Sequence, residues 1–219
     1  MTERTSHSHD ERDYLPGMGK HWLLPLYDVV HHVFGLQPVH EEMIRLAGLR
    51  AGLRVLDVGC GTGNLLRTTG RTHPEVELAG LDPDPKALGR ARRKAARAGV
   101  AVRLERGFAQ APPYPDGSFD RVFSSLMLHH LDTAVKDELL AEVRRVLRPD
   151  GVLVLADAVV GERGHGHGMG RRMNERMRDN VGDAVSRRIA AAGFTVEPTR
   201  TMALRVGGDV GIEVARPNR

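Results

Sequence analysis

The chain has 219 residues, of which 27% are charged and 4% aromatic, with a formal net charge of +4. That length accommodates one well-buried α/β domain plus extra segments and is too short for two full domains. The single cysteine, Cys60, excludes an intrachain disulfide, and no apolar run approaches the ~20 residues of a membrane span or forms a signal core, so a soluble, cytoplasmic protein is expected.

Residues 1–20 are polar and carry the breakers Pro16, Gly17 and Gly19, which predicts a flexible N-terminal tail; His7 and His9 belong to that tail rather than to a metal motif. The apolar segment from Trp22 to Phe34, framed by Pro25 and Gly35, predicts a short helix, and a second follows from about Val39 to Leu46. Both precede the first strand, so 21–50 is assigned as a helical lid lying against the domain. Short apolar strands then alternate with helices. The strands are expected at 54–58, 76–81, 102–106, 119–124 and 152–157, and the helices at 64–71, 85–98 and 133–147. Alternation of this length implies a parallel sheet covered by helices on both faces, with the ligand at the carboxyl ends of the strands.

Residues 161–181, rich in glycine, arginine and methionine, break the rhythm and are expected to form a mobile loop and then a basic helix, Arg171 to Arg178. They form a substrate-side insertion in a domain spanning 51–219. A helix at 183–192, closed by Gly193, leads to segments 195–199 and 202–214 around the turn Gly207-Gly208-Asp209, which should form an antiparallel edge pair. The expected fold is therefore α/β and Rossmann-like. Its seven-stranded sheet is mostly parallel, with an antiparallel C-terminal strand pair and helices on both faces. The arginines of 90–97 and 163–178 invite a nucleic-acid reading, but no aromatics are interleaved with them, and an Arg/Ala-rich helix is ordinarily a solvated face.

The most informative stretch is Val-Leu-Asp-Val-Gly-Cys-Gly-Thr-Gly at 55–63, a strand running into three alternating glycines and then a helix. Glycine lets the backbone turn tightly and approach a ligand, while the amides at the next helix's start face the site. A dinucleotide-binding loop would carry glycine or alanine at position 64; Asn64 stands there, which disfavours a nicotinamide oxidoreductase. With Asp57 two residues before Gly59, the stretch resembles motif I of the class I S-adenosylmethionine-dependent methyltransferases. In pattern it is closest to the ubiquinone/menaquinone C-methyltransferase branch. The resemblance implies S-adenosylmethionine as cofactor, with Asp57, Gly59, Cys60, Gly61 and Gly63 around its methionine end and Asp57 placing the ammonium. Asp57 could equally be a satisfied buried carboxylate, and the Cys60 side chain reads as small filler rather than as a nucleophile.

Asp82 closes the second strand in Leu-Ala-Gly-Leu-Asp-Pro-Asp-Pro, nineteen residues after Gly63. A carboxylate at that spacing can accept hydrogen bonds from both ribose hydroxyls; the competing role, capping the helix that starts near Pro85, suits Asp84 better. Pro83 follows it at the cofactor edge. The run from Gly107 to Phe123 resembles the family's passage along the adenine, strongest at Pro113, Pro115, Asp116, Gly117, Ser118, Phe119 and Asp120. It departs at Phe108, where relatives commonly carry an aspartate. Phe108 either stacks on the purine, with Ala109 or Gln110 reading its edge, or is core.

Beyond the fourth strand come Leu126, whose backbone can flank the cofactor, and the pair His129-His130, either of which could deprotonate an acceptor or form a structural turn. Tyr27-Asp28 resembles a Tyr-Asp pair of the quinone methyltransferase branch, which places Tyr27 at the cofactor or substrate, although packing alone would also explain it. No metal site is expected, because His31, His32, His165 and His167 lack a third ligand at metal spacing. The resemblance implies direct SN2 methyl transfer to a small-molecule acceptor by a monomer or homodimer. The rivals are a methyltransferase acting on RNA or protein, and a cofactor-binding module without catalysis.

Overall fold

The computed structural model describes residues 35–159, 182–205 and 208–218. The expected tail, the 22–34 helix with Tyr27, and the 161–181 insertion with its basic helix lie outside those residues, as does Gly207.

Helix α1 (Gln37–Ala47) opens with Pro38 in its first turn and ends at Gly48, whose left-handed backbone stops it. Its buried stripe, Val39, His40, Met43, Ile44 and Ala47, recurs at helical spacing and lies on the sheet. Three β–α units follow, with a short extra strand before the third. Strand β1 (Arg54–Val58) leads to α2 (Asn64–Thr72), and β2 (Glu77–Asp82) to α3 (Pro85–Arg97). The short β3 (Arg103–Arg106) is followed by β4 (Phe119–Ser125), a 3₁₀ turn (Leu128–His130), α4 (Thr133–Val146) and β5 (Leu147–Val159). The final elements are α5 (Ala184–Ala191), β6 (Phe194–Val196), β7 (Arg200–Ala203) and β8 (Asp209–Pro217).

The sheet order is β3-β2-β1-β4-β5-β8-β6, with β7 also on β8. Strands β1 to β5 pair in parallel, and β8 enters antiparallel between β5 and the β6–β7 edge. Strands β6 and β7 are two pieces of one edge strand. Both pair with β8, and the Glu197 amide between them still reaches the Val214 carbonyl at 2.8 Å. Pro198, which has no N–H to give, sits at the break, so the eight segments amount to the seven strands expected from the sequence.

The strands are buried on both faces, as parallel strands under helices must be. One face carries Leu56, Val58, Val122, Leu153 and Leu155 against α4 and α5; the other carries Val55, Leu78, Phe123 and Val154 against α1, α2 and α3. The Pro-Pro-Tyr-Pro-Asp run is architectural. The Arg145 guanidinium on α4 donates to the carbonyls of Tyr114 (2.7 Å) and Pro112 (3.3 Å) and to the carboxylates of Asp116 (2.8 Å) and Glu142 (2.7 Å). Asp120 likewise joins the Arg54 amide at 2.8 Å to the Arg148 guanidinium at 2.8 Å, tying β1, β4 and β5 together below the site.

Candidate functional site

Strands β1, β2, β4 and β5 end on the same side of the sheet, and strand order reverses between β1 and β4, where open α/β sheets hold ligands. Asp57 lies near the carboxyl end of β1. Its register partner is Gly80, so it shares a sheet face with Asp82 two residues further along β2. Asp57 is only 2% exposed, and its Oδ1 has no hydrogen-bond partner. Burial, and secondarily the charge of Asp82, hold its carboxyl well above the ordinary aspartate range.

The loop after β1 turns through left-handed φ at Gly59 (72°), Gly61 (50°) and Gly63 (75°). These glycines face different surroundings. A Cβ on Gly59 would lie 2.5 Å from Met127 Cγ, because the segment following β4 packs directly on the loop; a Cβ on Gly61 would meet nothing within 4 Å. Helix α2 starts at Gly63 without a side-chain cap hydrogen bond. Cys60 is buried beneath the loop, with Sγ 2.9 Å from where a Gly80 Cβ would stand. Burial, followed by the charges of Asp57 and Asp82, raises its thiol well above the usual value, which disfavours the reactive thiolate.

Asp82 has structural work at the carboxyl end of β2. Its Oδ2 accepts from the Gly61 amide at 2.8 Å and its Oδ1 from the Asp84 amide at 2.9 Å. Burial raises its carboxyl, and those two amides only partly offset the rise. Asp84, not Asp82, caps α3, accepting from the Lys86 amide at 2.8 Å. The Pro83 carbonyl accepts from Arg106 Nε at 3.3 Å. Phe108 and Ala109 follow β3, both half-buried, with Ala109 against the core. Tyr27 lies outside the described residues.

The segment after β4 carries an uncommon backbone. Leu126 has φ of 53° and donates its amide to the Ala156 carbonyl at 2.8 Å. A leucine rarely adopts that conformation, and such outliers gather at functional turns. Ser125 just before it meets His40 Nε2 of α1 at 3.2 Å. The 3₁₀ turn then presents His129 and His130, their rings 4.1 Å apart.

Asp157, near the end of β5, was not legible as a site residue. Its Oδ1 pairs with His129 Nδ1 and accepts the Ala158 amide at 2.7 Å, while Oδ2 accepts the His129 amide at 3.0 Å. Asp157 is 2% exposed and the His129 side chain 15%. A carboxylate on Nδ1 holds that nitrogen protonated and leaves Nε2 as the basic atom. Lys94 was also missed. From α3 its ammonium donates to Thr62 Oγ1 and Asn64 Oδ1, each at 2.9 Å, bracketing Gly63.

Residues 55–151 match the family described as "Methyltransferase domain". The chain is 37% identical over 139 residues to a demethylmenaquinone methyltransferase of Deinococcus radiodurans, covering 62% of this chain and 56% of that protein. It is 40% identical over 119 residues to a 27-O-demethylrifamycin SV methyltransferase of Amycolatopsis mediterranei, covering 52% and 42%. The chain thus spans about half the length of the curated relatives it matches. The fold is shared with a solved S-adenosylmethionine-dependent methyltransferase from Aquifex aeolicus (TM-score 0.66, 20% identity, 88% of this chain and 96% of that one). It is shared as well with the [4+2]-cyclase SpnF (TM-score 0.70, 20% identity, 83% and 80%), so the methyltransferase fold by itself does not specify the reaction.

Proposed function

We propose that this chain transfers a methyl group from S-adenosylmethionine to a small-molecule acceptor bearing an acidic hydroxyl. The observation that carries the reading is the glycine loop with the unpartnered Asp57 Oδ1 beneath it, inside a methyltransferase domain. A buried carboxylate oxygen without a partner costs about 1–3 kcal/mol, which a ligand ammonium would recover. The open space at Gly61 and the uncapped start of α2 fit a ligand lying across the loop. Asp57 would hold the methionine ammonium, Asp82 the ribose hydroxyls, and Phe108, Ala109 and Leu126 the walls around the adenosine.

When bound, S-adenosylmethionine supplies a methyl group already activated on a sulfonium. The protein's own contribution is to orient the acceptor, exclude water and take a proton. His129 Nε2 is the group for that proton, with Asp157 fixing the ring and stabilising the imidazolium that forms. The relatives' names, a quinone-type and a rifamycin methyltransferase, favour a hydroxylated or quinone-like small molecule over RNA or protein.

Calorimetric titration with S-adenosylhomocysteine tests the cofactor assignment on the wild type, Asp82→Ala and Gly61→Val. Binding to the wild type that is lost in both variants supports it; a folded wild type that binds nothing removes it.

A further inference from the structure

We propose that the acceptor is anchored by a protonated amine in a cavity at the carboxyl end of β5, with Glu213 as the counter-charge. This deepens the methyltransferase reading and rests on it. The cavity measures about 180 Å³ and is bordered by β5, the first half of β8, the β6–β7 edge and the start of α5. It is lined by Asp157, Asp183, Glu213, Thr199, Thr201 and Val185, among others, and none of its described lining residues is a lysine, arginine or histidine.

Glu213 is 4% exposed. Its Oε1 accepts from Ser186 Oγ at 2.9 Å and Thr199 Oγ1 at 2.7 Å, whereas its Oε2 is buried without a hydrogen-bond partner. Register sets Glu213 opposite Leu155 and Gly211 opposite Asp157, so the two carboxylates lie on one sheet face as diagonal neighbours. Asp183 lines the rim but is exposed and already paired with Arg187 at 3.1 Å, which leaves Glu213 as the anchor.

A buried carboxylate needs a positive partner or several donors. An ammonium supplies both, with a unit charge and three N–H groups that the Glu213 oxygen and the threonine hydroxyls can accept. A metal ion suits the site less, since no three histidine, cysteine or acidic side chains cluster at ligating geometry among the described residues. A cavity of about 150 Å³ takes a benzene ring, so this one holds an aminomethyl or aminoethyl group on a ring-sized fragment. Asp157 both lines the cavity and orients His129, so an acceptor anchored by its amine has its reacting end beside the base.

Benzylamine and its uncharged counterpart benzyl alcohol, titrated into the full chain loaded with S-adenosylhomocysteine, test this. Benzylammonium should bind the wild type at least about tenfold more tightly than benzyl alcohol, and Glu213→Gln should abolish the preference while leaving S-adenosylhomocysteine affinity unchanged. Equal binding of the two probes, no binding of benzylammonium, or a preference that survives in Glu213→Gln overturns the proposal. The wild-type comparison decides even if the variant does not fold. Intact S-adenosylhomocysteine binding beside failed amine recognition removes the amine site and keeps the methyltransferase; loss of both removes the methyltransferase reading itself.

Discussion

Gly61→Ala separates the loop's ligand role from its structural role. At φ of 50° an added Cβ meets strain but no neighbour within 4 Å, so only the left-handed backbone term applies, about 1–2 kcal/mol. Gly59→Ala carries the same strain at φ of 72° and also drives its methyl to 2.5 Å from Met127 Cγ, where overpacking adds about 1–3 kcal/mol. Urea unfolding should therefore find Gly61→Ala the milder variant by about the overpacking difference. Its methyl, however, stands in the open crevice, so calorimetry should show S-adenosylhomocysteine affinity falling about tenfold or more, a loss of at least ~1.4 kcal/mol. An unchanged affinity for Gly61→Ala would mean that the open side of Gly61 does not face the cofactor. A stability loss equal to that of Gly59→Ala would mean that Met127 does not resist a methyl on Gly59.

Four further outcomes are expected. Asp157→Ala leaves the His129 and Ala158 amides and His129 Nδ1 without their acceptor, so methyl transfer should drop about 10²-fold or more with S-adenosylhomocysteine affinity preserved, measured by steady-state product formation and calorimetry. The raised native carboxyls of Asp57 and Asp82 hold protons that the unfolded chain releases above about pH 3.8, so ligand-free stability should decline as pH climbs from there toward the native values, by up to ~1.4 kcal/mol per pH unit and group; denaturant melts across pH should show Asp57→Asn flattening that decline. Lys94→Met removes the donor to Thr62 and Asn64, and should weaken S-adenosylhomocysteine binding about tenfold while shifting the urea midpoint little; an unchanged affinity would reduce Lys94 to a surface residue. Cys60, buried with a raised thiol, should resist iodoacetamide until the chain unfolds, and rapid labelling of the native protein would contradict its filler role.

Local signals carried much of the fold into the sequence. Strand β1 falls at the residues the apolar pattern marks, and α3 begins at Pro85 behind an Asp84 cap as helix-start chemistry requires. Helix α1 starts two residues earlier than expected, because Pro38 occupies its first turn instead of ending what precedes it. Strand β5 is longer than its apolar run. Leu147 already pairs with Phe119, and after a register shift Val152 pairs with Arg121, so the strand extends across residues 148–151, which have no register partner on β4. The glycine loop and Asp82 were legible because their meaning lies in fixed short spacing. Asp157, Lys94 and Glu213 were not, because their partners lie 28, 30–32 and 14–27 residues away and meet only through strand order and helix packing. In the sequence, Asp157 is one acidic residue amid alanines and valines, and nothing local distinguishes it from a strand-end solubiliser.

The insertion of β8 between β5 and the β6–β7 edge governs when the sheet can close. Until residues 209–217 have been synthesised and docked, Leu153–Val159 of β5 remains an open edge in a strand whose side chains are largely apolar, a template for pairing with any other extended chain. The β6–β7 strand cannot bridge that gap, since its partner is β8 and not β5. Any nascent or truncated form ending before β8 therefore exposes an aggregation-prone edge beside the very aspartate that holds His129.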